Sequence, residues 1–225
     1  MEKRVIEIVS TLGRIYKNAQ APLLHRNAFE LLVAVILSAQ CTDERVNKIT
    51  PFLFPKKRPC EPKDILKLGE SKLRSIIHPC GYFNQKTKAV LGCAKKLIHG
   101  DVPSEIGALR ALPGVGAKTA QVIQSQWFKM DAFPVDTHIH RVLNRLGIVH
   151  SGKNRDKTER QAKAAIDKKY WSKLHLDLIY FGRQTCTARK PKCGNCPLYE
   201  ECRWLLLSSR NSVQNVKKKK RPSVY

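Results

Sequence analysis

Leu112-Pro113-Gly114-Val115-Gly116-Ala117-Lys118-Thr119 is the stretch that decides how this chain folds. Helical stripes flank it, and a proline with two glycines allows a tight turn between two helices. Without side chains on the glycines, a ligand can approach the backbone closely. The N–H groups of Gly114, Gly116 and their neighbours stand at the start of the second helix, where the dipole favours an anion. A nucleotide loop for ATP is the obvious rival. That loop needs glycine directly before a Lys-Ser/Thr pair and follows a strand. Here Ala117 precedes Lys118-Thr119 and a helix precedes the turn.

Outward from the turn, nearly every periodic segment has helical spacing. Upstream, Val90, Cys93, Ala94, Leu97 and Ile98 form a stripe ended by Gly100, and Ser104 is placed to cap a helix through Leu109 and Ala111. Leu73, Ile76 and Ile77 form a shorter stripe. Asn27 followed by Glu30 resembles a capping box heading an apolar helix through Ala39. Val5, Ile8, Val9, Leu12 and Ile15 predict an amphipathic helix at the N-terminus. Downstream, Ala120, Ile123 and Trp127 share one side of a helix that restarts near Gly116. Asp136 is placed to cap a helix running to Leu146 and ended by Gly147. Ala162, Ala165, Ile166 and Tyr170 mark another helix, and Leu174, Leu178 and Phe181 a last one. No convincing period-two strand and no long-period repeat stands out. The predicted fold class is all-α. Residues 206–225 lose periodicity and carry Lys217-Lys218-Lys219-Lys220-Arg221, which reads as a disordered basic tail touching phosphates without specificity.

Charge narrows the partner. The 225 residues carry 42 Lys and Arg against 18 Asp and Glu, a formal net charge of +24. Such a surplus predicts a polyanion, because each phosphate neutralised by Lys or Arg releases a condensed counterion. A ribosomal or merely cationic protein has the same signature, so charge by itself leaves both open. The apolar run from Phe29 to Ala39 falls well short of the ~20 residues that span a bilayer. No signal-peptide core follows Met1-Glu2-Lys3-Arg4. The expectation is a cytoplasmic, nucleoid-associated protein with no membrane partner, acting as a monomer.

In a reducing compartment the eight cysteines are not expected to pair as disulfides. Cys41, Cys60, Cys80 and Cys93 are scattered singly and read as small core hydrophobes. Cys186, Cys193, Cys196 and Cys202 are packed together at C-x6-C-x2-C-x5-C, a metal-site density. Four thiolates suit either zinc or a 4Fe–4S cluster. Structural zinc sites usually show two C-x2-C knuckles, whereas this chain has one close pair, Cys193 and Cys196.

The hairpin LPGVGAKTA, the downstream VDTHIHRVLNRLG and the closing CTARKPKCGNCPLYEEC stand together in an order that resembles the endonuclease III branch of the helix-hairpin-helix glycosylase superfamily. The resemblance extends upstream through LLVAVILSAQCTD and GYFNQK, and so covers roughly residues 1–205. A lone GVG hairpin also occurs in DNA-binding proteins without catalytic activity; the full set is highly specific.

The resemblance implies a bifunctional DNA glycosylase and abasic-site lyase acting on oxidised pyrimidines in double-stranded DNA. It makes Lys118 the nucleophile and Asp136 the carboxylate facing it across the mouth of the pocket. Alone, Lys118 would be one more DNA-touching lysine and Asp136 a plain N-cap; the second reading holds alongside the catalytic one. An amine attacks only when neutral, a form that desolvation and neighbouring positive charge favour. Gln40 becomes the candidate plug for the gap left by a flipped base, and Tyr82 the candidate wedge, with core packing the alternative for Tyr82 and Phe83. Gly114, Gly116, Thr119, Thr137, His138 and Arg141 are expected at phosphates, with an ordinary solvated arginine the alternative for Arg141.

The uneven cysteine spacing matches the family's 4Fe–4S loop, leaving zinc as the minor alternative. Its six-residue span is basic, so Arg189, Lys190 and Lys192 are expected to meet the DNA backbone, with the cluster shaping the loop rather than catalysing. The implied architecture is two helical domains with the active cleft at their junction. Residues 21–131 form a six-helix domain ending in the hairpin, and 1–20 plus 132–205 form the cluster domain. A non-catalytic hairpin protein with a structural metal would have no use for the Lys118–Asp136 pair. The mismatch adenine glycosylase branch lacks the lysine and needs a further domain.

Overall fold

The computed structural model describes residues 1–205, so the basic run over 206–225 lies outside the described residues. Among the described residues every regular element is helical. In chain order these are α1 (Lys3–Ile15), α2 (Ala28–Ser38), α3 (Asp43–Leu53), α4 (Pro62–Leu68), α5 (Glu70–Ile77) and α6 (Phe83–Lys96). There follow α7 (Ile106–Arg110), α8 (Ala117–Gln126), α9 (Thr137–Leu146), α10 (Arg155–Ala165) and α11 (Trp171–Gln184). The chain divides into two compact units, one from Gln20 to Pro134 and the other joining Met1–Ala19 to the chain from Val135 onward. Among the described residues no helix is long and apolar enough to cross a membrane.

The unit from Gln20 to Pro134 is built around α2, whose residues from Phe29 to Leu37 are all buried. A helix that is apolar on every side must be surrounded. Here α3, α6 and α8 pack on it, and Val46, Val90, Cys93 and Ile123 close the core. Glu30 is the exception on that helix. It is 1% exposed, and its carboxylate takes the Arg26 guanidinium at 2.6 Å and the Cys60 N–H at 2.8 Å. The expected capping box is therefore only half formed. Asn27 Oδ1 accepts from Glu30 N–H at 2.8 Å, but Glu30 reaches back to the N–H of Arg26, one residue before the cap.

The four scattered cysteines have the expected core character: Cys60, Cys80 and Cys93 are buried and Cys41 packs half-buried against the core. Burial pushes the thiols of Cys60 and Cys93 up to about 12. Ser104 does not cap α7. The helix starts two residues later, behind Glu105, and no side chain closes its end.

In the other unit, α11 packs against both α1 and α9, burying Val5, Ile8, Leu12, Val142, Leu146, Leu174 and Phe181. The stripe expected to run from Ala162 to Tyr170 breaks at Ile166, which is the C-cap of α10; Tyr170 lies in a separate short 3-10 turn. A polar chain ties α10 to α9. Thr158 Oγ1 lies 2.6 Å from His140 Nδ1 and 2.7 Å from Ser151 Oγ, and Asn144 Nδ2 donates to Ser151 Oγ at 2.9 Å.

Candidate nucleic-acid site and metal centre

The turn before α8 is closed by the Val115 N–H, which donates to Leu112 O at 3.2 Å. Gly114 has φ +74°, and a Cβ there would stand 2.6 Å from the Cβ of Ala89. Both conformation and packing demand glycine at this place. Gly116 differs. Its φ is −86°, and a Cβ there would meet nothing within 4 Å.

As the N-cap of α8, Gly116 has no side chain to accept from the first turn. Four other helices are closed at that position, by Asn27, Thr42, Asp136 and Asn154. The head of α8 thus keeps its first donors and its dipole available to an anion. Lys118 is exposed as the second residue of this helix, and Thr119 follows it half-buried.

Asp136 belongs to the other unit, where it caps α9. Its Oδ1 accepts from the N–H groups of both His138 and Ile139 at 2.8 Å, which leaves Oδ2 outside the cap. Thr137 is exposed at the first position of α9. His138 is half-buried, and burial pulls its imidazole below the ordinary value against the opposing charge of Asp136. At neutral pH it therefore presents a neutral ring rather than a cation.

Arg141, expected at a phosphate or in solvent, is half-buried and turns most of its donors to groups within the chain. Its Nη2 donates to Gly182 O at 2.8 Å and to His138 Nδ1 at 3.2 Å, and its Nε donates to Cys186 O at 3.1 Å. Arg145 does the same one turn later. It donates to Thr187 O at 2.7 Å and Ala188 O at 2.9 Å, and its guanidinium lies 4.7 Å from the ring centroid of Trp204. Sequence reasoning missed Arg145. The available signal was its i+4 spacing from Arg141, which puts both on one face of α9.

These two arginines hold the start of the cysteine loop. All four of Cys186, Cys193, Cys196 and Cys202 line one pocket, walled by Leu146, Phe181 and Trp204. Desolvation, and behind it the charges of Cys202 and Cys186, raise the Cys193 thiol above the ordinary value. Sulfurs that feel one another in this way make a donor set suited to a cationic centre. Among the described residues, no three His, Cys, Asp or Glu side chains close on a point that would hold a single metal ion. Four thiols lining one pocket are a donor set that an iron–sulfur cluster would use. Arg189, Lys190 and Lys192 are exposed on the loop, which is pinned by Thr187 Oγ1 to Lys190 O at 2.7 Å and by Lys192 N–H to Thr185 O at 2.9 Å.

Two further loops belong to the unit from Gln20 to Pro134. Gln40 has φ +52° and Tyr82 φ +49°, left-handed conformations that cost a non-glycine residue about 1–2 kcal/mol. Both side chains are exposed, Tyr82 at 58%, so core packing does not account for Tyr82. Phe83 does pack against the core, with its ring centroid 4.4 Å from that of His78.

Known proteins fit this arrangement. Residues 33–168 match the family described as HhH-GPD superfamily base excision DNA repair protein, and residues 186–202 match the iron-sulfur binding domain of endonuclease III. The chain is similar to endonuclease III of Bacillus subtilis (strain 168), at 39% identity over 89% of this chain and 92% of the relative. It is also similar to endonuclease III of Escherichia coli (strain K12), at 37% identity over 88% and 94%. Among solved structures, a non-covalent endonuclease III–DNA complex superposes with a TM-score of 0.84 at 37% identity, covering 93% of this chain and 100% of that one. A trapped endonuclease III–DNA covalent intermediate in an estranged-adenine complex gives a TM-score of 0.83 at the same identity and coverage. With only helices among its described residues and these likenesses along nearly its whole length, the chain belongs to the endonuclease III family of HhH-GPD base excision DNA repair proteins.

Proposed function

We propose that Lys118 is the nucleophile of this enzyme and Asp136 the carboxylate that serves it. As a member of the family, the chain is a DNA glycosylase with abasic-site lyase activity that removes oxidised pyrimidines and carries one 4Fe–4S cluster. The observation that supports the residue assignment is local. Lys118 stands exposed at the open, uncapped head of α8, directly after a turn whose backbone suits a phosphate. An amine there is delivered to the sugar next to the phosphate that the turn holds.

The steps follow from the chemistry. The damaged nucleotide leaves the stack. The neutral amine of Lys118 attacks C1′, the glycosidic bond breaks, and the base departs with a proton. Asp136 stabilises positive charge developing at C1′, using the oxygen that its cap leaves over. The sugar ring opens to a Schiff base between C1′ and Nζ. Loss of a C2′ proton then drives β-elimination of the 3′ phosphate, and water later releases the lysine.

Cys186, Cys193, Cys196 and Cys202 would hold the cluster, which would stiffen the loop rather than take part in the reaction. That loop carries Arg189, Lys190 and Lys192 to the DNA backbone. Gly114, Gly116 and Thr119 grip a phosphate at the head of α8, and Thr137 and the neutral His138 line the strand at the head of α9. Gln40 and Tyr82 enter the duplex as plug and wedge. The enzyme works as a monomer on nucleoid DNA.

Borohydride trapping on duplex DNA with an abasic site tests the assignment. Native protein is expected to give a covalent adduct and Lys118→Ala none. An adduct of equal yield with the variant would remove Lys118 from the reaction.

A further inference from the structure

Lys86 is 5% exposed, on the inner face of α6, and among the described residues it takes part in no ion pair. A buried ammonium without a counter-charge is costly, and burial pulls Lys86 below the ordinary lysine range. A methionine would fill the same volume without that cost. What lysine adds is donors. Its Nζ donates to Leu37 O at 2.8 Å and to Cys80 O at 2.8 Å. Leu37 lies in the last turn of α2, where carbonyls lack helical partners and the dipole is negative. Cys80 ends a 3-10 turn.

These two carbonyls are not arbitrary places on the chain. Three residues beyond Leu37 stands Gln40, and two beyond Cys80 stands Tyr82. Besides Lys129, these are the only non-glycine residues with positive φ among the described residues. Conformations of this kind persist only where their surroundings fix them. One buried amine is hydrogen-bonded at the root of both loops. Arg45 Nη1 adds an outer bond to Pro79 O at 3.2 Å.

We propose that Lys86 is a positioning residue that sets the spacing of the Gln40 and Tyr82 loops, so that plug and wedge enter the duplex together. The inference rests on the reading of Gln40 and Tyr82 given above. Lys86 touches no DNA. Its effect falls on duplex substrates, where a gap must be filled, and not on an abasic site in single-stranded DNA, where there is none.

The test compares Lys86→Met and Lys86→Arg with native enzyme on two substrates, a duplex with an oxidised pyrimidine and a single strand with a preformed abasic site. Lys86→Met is expected to lose at least about tenfold in duplex excision and to stay within about twofold on the single strand. Lys86→Arg, which keeps donors for both carbonyls, is expected to recover most of the duplex rate. If the methionine variant does not fold, Lys86→Leu, which likewise has no donor, takes its place with the same expectation. Full duplex activity without the donors, or an equal loss on both substrates, overturns the proposal. Gln40→Ala/Tyr82→Ala separates the two readings. If that double variant excises normally, the plug-and-wedge assignment is at fault. If it is impaired on the duplex, adding Lys86→Met is expected to cost less than about twofold more, and a larger further loss counts against Lys86 acting through these loops.

Discussion

Asp136 Oδ1 stands 2.8 Å from the backbone nitrogen of Ile139, three residues into the helix that it caps. The same oxygen takes the His138 N–H, so one oxygen does the structural work. Asparagine caps helices about as well as aspartate. Asp136→Asn is therefore expected to keep the native melting temperature within about 2 °C while slowing base release by roughly a hundredfold or more. Asp136→Ala should lose both, with about 1 kcal/mol of stability gone along with the cap. Melting curves beside single-turnover excision separate the two roles. An asparagine variant with native excision would leave Asp136 as a cap only.

Gly114 and Gly116 are two residues apart and are glycine for different reasons. Gly114→Ala forces a left-handed alanine whose Cβ lies 2.6 Å from that of Ala89. It should destabilise the protein by roughly 1–3 kcal/mol. Gly116→Ala has ordinary backbone and open space. It should melt like the native protein yet bind duplex DNA more weakly, because the new methyl group stands where a phosphate would approach. Native affinity in Gly116→Ala would mean that the head of α8 is not the phosphate site.

The pattern of legibility follows from the same contrast. The hairpin, the cap at Asp136 and the stop at Gly147 were readable because each is a local event, a residue type meeting its own backbone within four positions. Helix α3 leaves no clear period in the sequence. Its buried residues Val46, Ile49 and Leu53 are sparse, and Pro51 lies inside the helix. Pro62–Leu68 is too short for its period to emerge. The inward turn of Arg141 was hidden for another reason. Its carbonyl partners lie 41 and 45 residues away, at Gly182 and Cys186, and nothing in a cationic side chain reveals which acceptor it will find. The same holds for Lys86 and Leu37, 49 residues apart.

The cysteine pocket makes a compositional prediction. Purified protein should contain about four irons and four labile sulfides per chain and no stoichiometric zinc. Cys196→Ala should lose the cluster's visible absorption, melt lower and bind DNA less tightly. Because Lys118 belongs to the other unit, the chemistry at saturating abasic DNA should survive better than affinity. One zinc per chain, with full activity, would replace the cluster by a simple tetrahedral site.

Salt dependence distinguishes the exposed cations of the loop from the arginines beneath it. Each phosphate contact contributes about 0.9 to the slope of log affinity against log salt. Arg189, Lys190 and Lys192 are all exposed. Replacing the three by alanine is therefore expected to reduce the slope by roughly 2–3, with the melting temperature nearly unchanged. Arg141 spends its donors on Gly182, Cys186 and His138. Arg141→Ala should lower the melting temperature, because a half-buried guanidinium leaves carbonyls unpaired when it is removed. It should leave the slope close to native at temperatures where the loop stays folded. An unchanged slope in the triple variant would take the loop off the DNA. A full unit lost in Arg141→Ala would put that arginine back on a phosphate.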